Sequence, residues 1–378
     1  MKLLNEIAGE VVANITSPAV TQLNTGRCPC RFKNVWGREM VVEKSRLVLT
    51  IAEEFSLKIK EERRKAKVIQ IAPIIALVVL IVFFGIVNEG FISFYNFVAI
   101  LSQLAIPLIL ALGLTFVILM GSIDLSVEGV MGLTGSVVSL LVLNNKTPFD
   151  LGLMGIFIAM LIGPIVGLIT GLIHVKAKIP SFMVTFGMSS VAAGVALLSY
   201  GAIPATIADP VFIYAAKNTF LGLPILTCIG LLVFAIAYII QEYTAFGRYI
   251  FAIGDNESIP RQSGINVDKI KILVFVWCGF CIGLAGIIGA VRLGRGEVLI
   301  GKGNLFQAIT AVVVGGTALS GGKGGVANTL LGALIVTVLQ NGLILMGVNP
   351  YVQAAIQGII IVSAVAFSVM RGNKIITK

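Results

Sequence analysis

Beyond Lys67 the chain alternates between long uncharged apolar runs and short polar interruptions. A helix needs about 20 apolar residues to cross roughly 30 Å of hydrocarbon, and most of the runs reach that length. The first, VIQIAPIIALVVLIVFFGIVN, lies between Lys67 and Glu89. A second predicted helix covers 98–120, and further ones cover 129–145, 151–175, 181–201, 221–241, 272–291 and 303–322. The last uncharged run, 324–370, fits two helices broken at Val348-Asn349-Pro350. The pattern predicts an all-α, polytopic membrane protein of about ten transmembrane helices. Because 129–145 is short, nine or eleven crossings stay open.

Composition supports lipid rather than a water-soluble core. Hydrophobic residues make up 57% of the chain and charged ones 12%, whereas soluble domains carry about a quarter charged. The 42 glycines suit membrane helices, whose backbones approach closely through small residues. The net charge of +10 is unevenly placed, with 13 of the 28 Lys and Arg in residues 1–67. The rest stand singly at the ends of apolar runs, with no basic face for nucleic acid. Cys278-Gly-Phe-Cys281 has redox spacing but sits in a predicted membrane helix without a histidine, and Cys28-Pro-Cys30 has no second ligand pair nearby.

Residues 1–67 read as a cytoplasmic extension, partly disordered or amphipathic, before a permease domain at 68–370 and a tail at 371–378. No apolar signal-peptide core follows the start. Residues 43–67 fit an amphipathic helix ending in Arg63-Arg64-Lys65, or a solvated stop before the first crossing. Translation is expected to begin at Met40. With the N-terminus inside, inner loops and tail beyond residue 67 hold ten basic residues and outer loops five. This places both termini in the cytoplasm, with the loop at 292–302 dissenting.

A weak internal repeat pairs Val117–Ser126 with Ala311–Ser320, each an apolar run before a glycine-containing break. Such breaks often line a transport pathway. Asp124 and Glu128 are the acids between Glu89 and Asp150, and their i,i+4 spacing places them on one helical face. A carboxylate at membrane depth is functional by default, and a cap on the free amides of a helix start is the equal alternative. Gly315–Gly325 lacks the spacing of a phosphate-binding loop and reads as a flexible turn between close-packed helices. His174, alone of its kind, reads as a packed or interfacial residue. In the longest inner loop, 242–271, residues 254–264 fit a short helix between glycines, with an ordinary connecting loop as the alternative.

Several ordered motifs carry a family resemblance. They are Gly121-Ser-Ile-Asp-Leu-Ser-Val127, Ile179-Pro-Ser-Phe-Met-Val-Thr-Phe-Gly-Met188, Gly247-Arg-Tyr-Ile-Phe-Ala-Ile-Gly254, Ser263-Gly-Ile-Asn-Val267, Gly315–Gly324 and Asn341-Gly-Leu343. Across about 68–370 the chain resembles the permease subunit of ribose, xylose and galactoside ABC importers, within the wider group that includes branched-chain amino acid permeases. The resemblance implies a bacterial inner-membrane permease dimer of identical or different copies, two cytoplasmic ATP-binding subunits and an extracytoplasmic solute-binding protein. It further implies that this chain binds no cofactor directly and that ATP is used by the partner subunit. The resemblance makes 254–264 the helix that couples to the ATPase, with Gly254, Asn256, Glu257, Arg261 and Gly264 as its marked positions. Three departures stand out: Ser258-Ile259-Pro260 after the family's glutamate, Leu305-Phe-Gln-Ala-Ile309 without its usual glutamate, and Glu128 in place of a glycine.

The resulting expectation is a permease, not an enzyme, for a monosaccharide. A nucleoside, an autoinducer-type sugar or a branched-chain amino acid are alternative solutes, and an ion-coupled secondary transporter is the rival machine. Polarity within apolar helices nominates Asp124 and Ser126 for an inner gate, with Phe182, Thr185 and Asn341 near the path.

Overall fold

A computed structural model describes residues 71–371 other than Leu221. The expectations placed on 1–67, including the start at Met40, the helix at 43–67 and the Cys28–Cys30 pair, and those on the tail beyond Arg371 lie outside the described residues.

The protein is all-α and polytopic. Among the described residues, six helices are long and apolar enough to cross a membrane: α2 (Phe94–Leu119), α4 (Gly152–Ala177), α5 (Ser181–Tyr200), α7 (Ile225–Tyr243), α10 (Val267–Leu293) and α12 (Val326–Leu345). Shorter apolar helices are α1 (Ile71–Val87), α3 (Val127–Leu141), α11 (Asn304–Val314) and the start of α13 (Pro350–Arg371). Three small helices, α6 (Pro210–Lys217), α8 (Ala245–Asp255) and α9 (Ser258–Gln262), complete the set. In lipid every backbone polar group must be satisfied within its own segment, and uncharged runs of this length meet that demand as helices. Their ends are chemically marked. Ser93 accepts a hydrogen bond from the Asn96 amide at 3.2 Å to open α2, and Asn266 accepts one from Lys269 at 3.0 Å to open α10.

Helix α10 is the hub, packed on α2, α3 and α4, and glycine makes the contacts possible. Gly163, Gly167 and Gly171 of α4 recur every four residues and face Gly279, Gly283 and Phe275 of α10. A Cβ on Gly163 would strike the Gly279 carbonyl, and one on Gly279 would strike that of Gly163. This is small-residue packing of the kind that drives helix association in membranes.

Two sets of loops gather at opposite ends of the bundle. At one end β1 (Ala205–Thr206) pairs antiparallel with β4 (Arg295–Gly296), Ala208 N–H donates to Leu143 O at 2.8 Å, and Asn88 donates to Leu345 O at 3.2 Å. A further pair, β2 (Thr219–Phe220) with β3 (Leu223–Pro224), lies there too. The other end joins 120–126, 178–180, 244–266 and 315–325, through Gly322 N–H to Leu119 O at 2.8 Å and Val326 N–H to Gln241 Oε1 at 2.7 Å. The loops expected to share a side therefore share an end.

Three expectations need correction. The helix expected over 303–322 stops at Val314, because the glycine run cannot continue it. It is preceded by a 3₁₀ turn at Val298–Gly301 that runs back along α3, with Gly296 against Ser139, Val298 against Gly132 and Gly301 against Glu128. The loop at 315–325 is a hydrogen-bonded turn docked on the end of α2 rather than a loose linker. The two halves of the repeat share one structure, shifted by a residue from the sequence pairing. Gly121 N–H donates to Ile118 O and Ser122 N–H to Val117 O, while Gly316 N–H donates to Val313 O and Thr317 N–H to Val312 O. Both breaks are αL helix caps, with φ +77° at Gly121 and +94° at Gly316, so Gly121 corresponds to Gly316.

Candidate functional site

The break between α2 and α3 is the centre of the site. After Leu119 the chain turns back and runs without helix through Ser122–Ser126 before α3 begins at Val127. Asp124 is 2% exposed, and its Oδ1 accepts from the Ser126 amide at 2.8 Å. The Cys278 thiol of α10 lies beside the same carboxyl. Ser126 is buried, and its carbonyl accepts from Val130 N–H at 3.0 Å as the first turn of α3 forms. Asp124 thus serves an amide just before the helix, as capping requires, but it does not share a helical face with Glu128. The i,i+4 expectation fails because α3 starts three residues after Asp124. Glu128, in the first turn, instead reaches across to accept from Gly303 N–H at 2.9 Å.

A hydroxyl ladder on α5 holds the break. Ile123 N–H donates to Ser181 Oγ at 3.1 Å, Leu125 N–H to Thr185 Oγ1 at 3.0 Å, and Gly129 N–H to Ser189 Oγ at 3.2 Å. Backbone that leaves the helix at membrane depth must be satisfied by protein or by a water-filled cavity, and α5 supplies the partners. Thr185 is fully buried within this ladder, while Phe182 is 41% exposed. Ser181 and Ser189 escaped the sequence reading, although the spacing 181, 185, 189 is one face of a helix.

Asn341 is not part of this cluster. It lies on α12, about 22 Å along the helix from Val326 at 1.5 Å per residue. Its Oδ1 is buried with no hydrogen-bond partner among the described residues.

At the loop-rich end three glycine-containing turns converge. A Cβ on Gly254 would collide with Leu119 O and come within 2.6 Å of Gly322 N. One on Gly321 would come within 2.9 Å of Gly121 N and 3.0 Å of Gly254 O. The end of α8 is thereby wedged against both breaks of the repeat. Directly after it, Asn256 Oδ1 accepts from Ser258 N–H at 3.1 Å to open α9, and Gly264, at φ +79°, closes it. Glu257 accepts from Arg261 at 2.9 Å and from Lys271 at 2.7 Å, and Arg261 also meets Asp268 at 2.9 Å. Partial burial works to raise the Glu257 carboxyl, but the hydrogen bonds and charges of Lys271 and Arg261 outweigh it and hold the group below its usual range. Ile259 is 58% exposed on this short helix, and Pro260 is buried. His174 is a packed residue, its ring edge-on to Phe275 and its Nδ1 2.6 Å from Ile179 O.

An open cleft of about 410 Å³ lies between α5 and the 298–302 stretch, lined by Glu128, Phe186, Ser189, Ser190, Leu299 and Lys302 among others.

Membrane-length helices, breaks entering the bundle from both ends and an open cleft beside them define a multi-pass membrane permease. The chain belongs to the family described as branched-chain amino acid transport system / permease component, which matches residues 96–365. It is a transport pore subunit and not an enzyme. It is similar to the ribose import permease of Haemophilus influenzae, with 39% identity over 79% of this chain and 93% of the relative. It is also similar to the D-allose transport system permease of Escherichia coli K12 (31% identity; 77% and 88%) and to the galactose/methyl galactoside import permease of the same strain (33%; 78% and 93%). No solved structure matches.

Proposed function

We propose that this chain, through its 68–370 domain, is the permease of an ATP-driven importer carrying a monosaccharide across the bacterial inner membrane, with both termini cytoplasmic. The observation that carries this is the near full-length similarity to ribose, allose and galactose permeases. A second permease copy, two cytoplasmic ATP-binding subunits and an extracytoplasmic solute-binding protein complete the machine. The loop end carrying Lys176, Lys178, Arg248, Arg261, Lys269, Lys271 and Lys323 is the cytoplasmic one, because basic residues accumulate there.

Residues 254–264 dock on the ATP-binding subunit. Ile259 offers an apolar contact, and the Glu257–Arg261–Lys271 network keeps the short helix rigid enough to carry a push. Gly254 passes displacement to Leu119 and Gly322, and so to the Asp124–Ser126 break held by Thr185. A gate responds only to a ligand that binds its two states differently, and ATP at the motor supplies that difference. Asp124 and Ser126 form the inner gate. Phe182 lies on the open side of α5 facing the path, and Asn341 belongs nearer the outer end.

The test is uptake of labelled D-ribose, D-allose, D-galactose and L-leucine in proteoliposomes holding the permease with the ATP-binding and solute-binding proteins encoded beside it. ATP-dependent uptake of at least one sugar is expected. Uptake confined to leucine, the second reading that the family description supports, replaces the monosaccharide assignment. Uptake driven by an ion gradient without ATP removes the ATP-driven reading.

A further inference from the structure

Two stretches outside the α-helices meet inside the bundle. One, 120–126, rises from the loop end beside α5. The other, 296–303, descends along α3 from the opposite end. They come together at Glu128, whose Oε1 takes the Gly303 amide at 2.9 Å. Gly129 is bonded to Ser189, eight residues beyond Ser181 on α5. At 1.5 Å per residue the meeting point stands about 12 Å along α5 from Ser181, well inside an apolar layer of ~30 Å.

A carboxylate at that depth costs about 2.5–3.5 kcal/mol on insertion scales if it faces lipid, so such groups face water or a partner. Glu128 faces the cleft. Its Oε2 has no hydrogen-bond partner among the described residues, and neither has the Lys302 ammonium, which lines the same space. Ser189 and Ser190 add hydroxyls, and the Phe186 ring forms an apolar wall. At about 410 Å³ the cleft falls in the ~300–1,000 Å³ range of small-molecule sites.

We propose that this cleft is the solute's resting site midway across the membrane, and that Glu128 selects for a solute carrying several hydroxyl groups. A free carboxylate oxygen accepts hydroxyl hydrogens, the Lys302 ammonium donates to hydroxyl oxygens, and the serines do either. The C–H face of a sugar ring lies against Phe186. Discontinuous helices meeting at mid-depth are where transporters place their binding sites. The inference deepens the monosaccharide reading and rests on it for the identity of the cargo.

Two measurements test it. In the proteoliposome assay, Glu128→Gln is expected to lower uptake of the transported sugar at least tenfold while the melting temperature of the solubilised permease stays unchanged, because a solute-facing acceptor becomes a donor. A matching fall in melting temperature makes Glu128 a packing residue and overturns the proposal, as does unchanged uptake. Independently of any sugar, Ser190→Cys in membranes is expected to react with a charged, membrane-impermeant methanethiosulfonate well above the labelling of the unmodified chain. Its reaction is expected to slow at least threefold in the presence of the transported sugar. Reaction only with a lipid-soluble maleimide means that lipid fills the cleft and sinks the proposal. Failure of the unmodified transporter to import any sugar while Ser190→Cys still reacts removes the cargo assignment and leaves the water-filled cleft standing.

Discussion

At the scale of single residues, the break at 120–126 depends on hydroxyls that have little room for substitution. Thr185 is buried, and its Oγ1 satisfies the Leu125 amide. Replacing it with alanine strands a buried donor, which costs about 1–3 kcal/mol. Thr185→Ala is therefore expected to lower the melting temperature of the detergent-solubilised permease, and Thr185→Ser to restore most of the loss. Equal melting of the alanine variant and the parent would show that water replaces the hydroxyl. Glycine positions separate in the same way. A Cβ at Gly254 meets backbone on two sides, so Gly254→Ala is expected to abolish uptake or folded yield. Gly187, with nothing within 4 Å, is expected to tolerate alanine with melting and uptake unchanged.

Among the described helices, α9 is held by a charge network. Its pairs are partly exposed, and exposed pairs contribute about 0.2–1 kcal/mol each, so the helix is held firmly only by the network as a whole. Glu257→Gln removes the acceptor charge from both pairs and is expected to raise amide hydrogen exchange across 257–264 while leaving α10 protected. Exchange unchanged in α9 would refute a role for the network. The pH dependence follows from the lowered Glu257 carboxyl. A group held below its unfolded value stabilises at pH above that value and loses the contribution as pH falls through its folded value. Protection of α9 is thus expected to stay constant around neutrality and to fall below about pH 4, where an ordinary glutamate is already protonated. Loss of protection near pH 6 would point to some other group.

For the whole molecule the testable quantity is orientation. Lys217 and Lys323 are exposed at opposite ends of the bundle. In intact cells Lys217→Cys is expected to react with an impermeant thiol reagent added outside, and Lys323→Cys only after the membrane is opened. The reverse pattern would invert the topology and detach 254–264 from the cytosol. The loop at 292–302 looked like dissent from the charge rule, and the fold relieves part of it. Lys302 belongs to the stretch that descends along α3, so it reports on the cleft rather than on a loop.

Hydrophobic runs determined the helices, their approximate ends and the alternation of loops between two sides, because lipid forces each run to satisfy its own backbone. The glycine breaks at Gly121 and Gly316, the short helix between Gly254 and Gly264, and the packed role of His174 were legible for similar local reasons. What folding alone decided were the partners. Asp124 and Glu128 were neighbours by spacing, but the helix begins only between them, so one serves its own turn and the other reaches Gly303. The ladder from Ser181, Thr185 and Ser189, the glycine wedge of Gly254 on Leu119, and the meeting of Glu128 with Gly303 all join residues far apart in the chain. No local preference encodes such distances. They are set by how closely glycine lets the helices approach, and by where the broken backbone must find its hydrogen bonds.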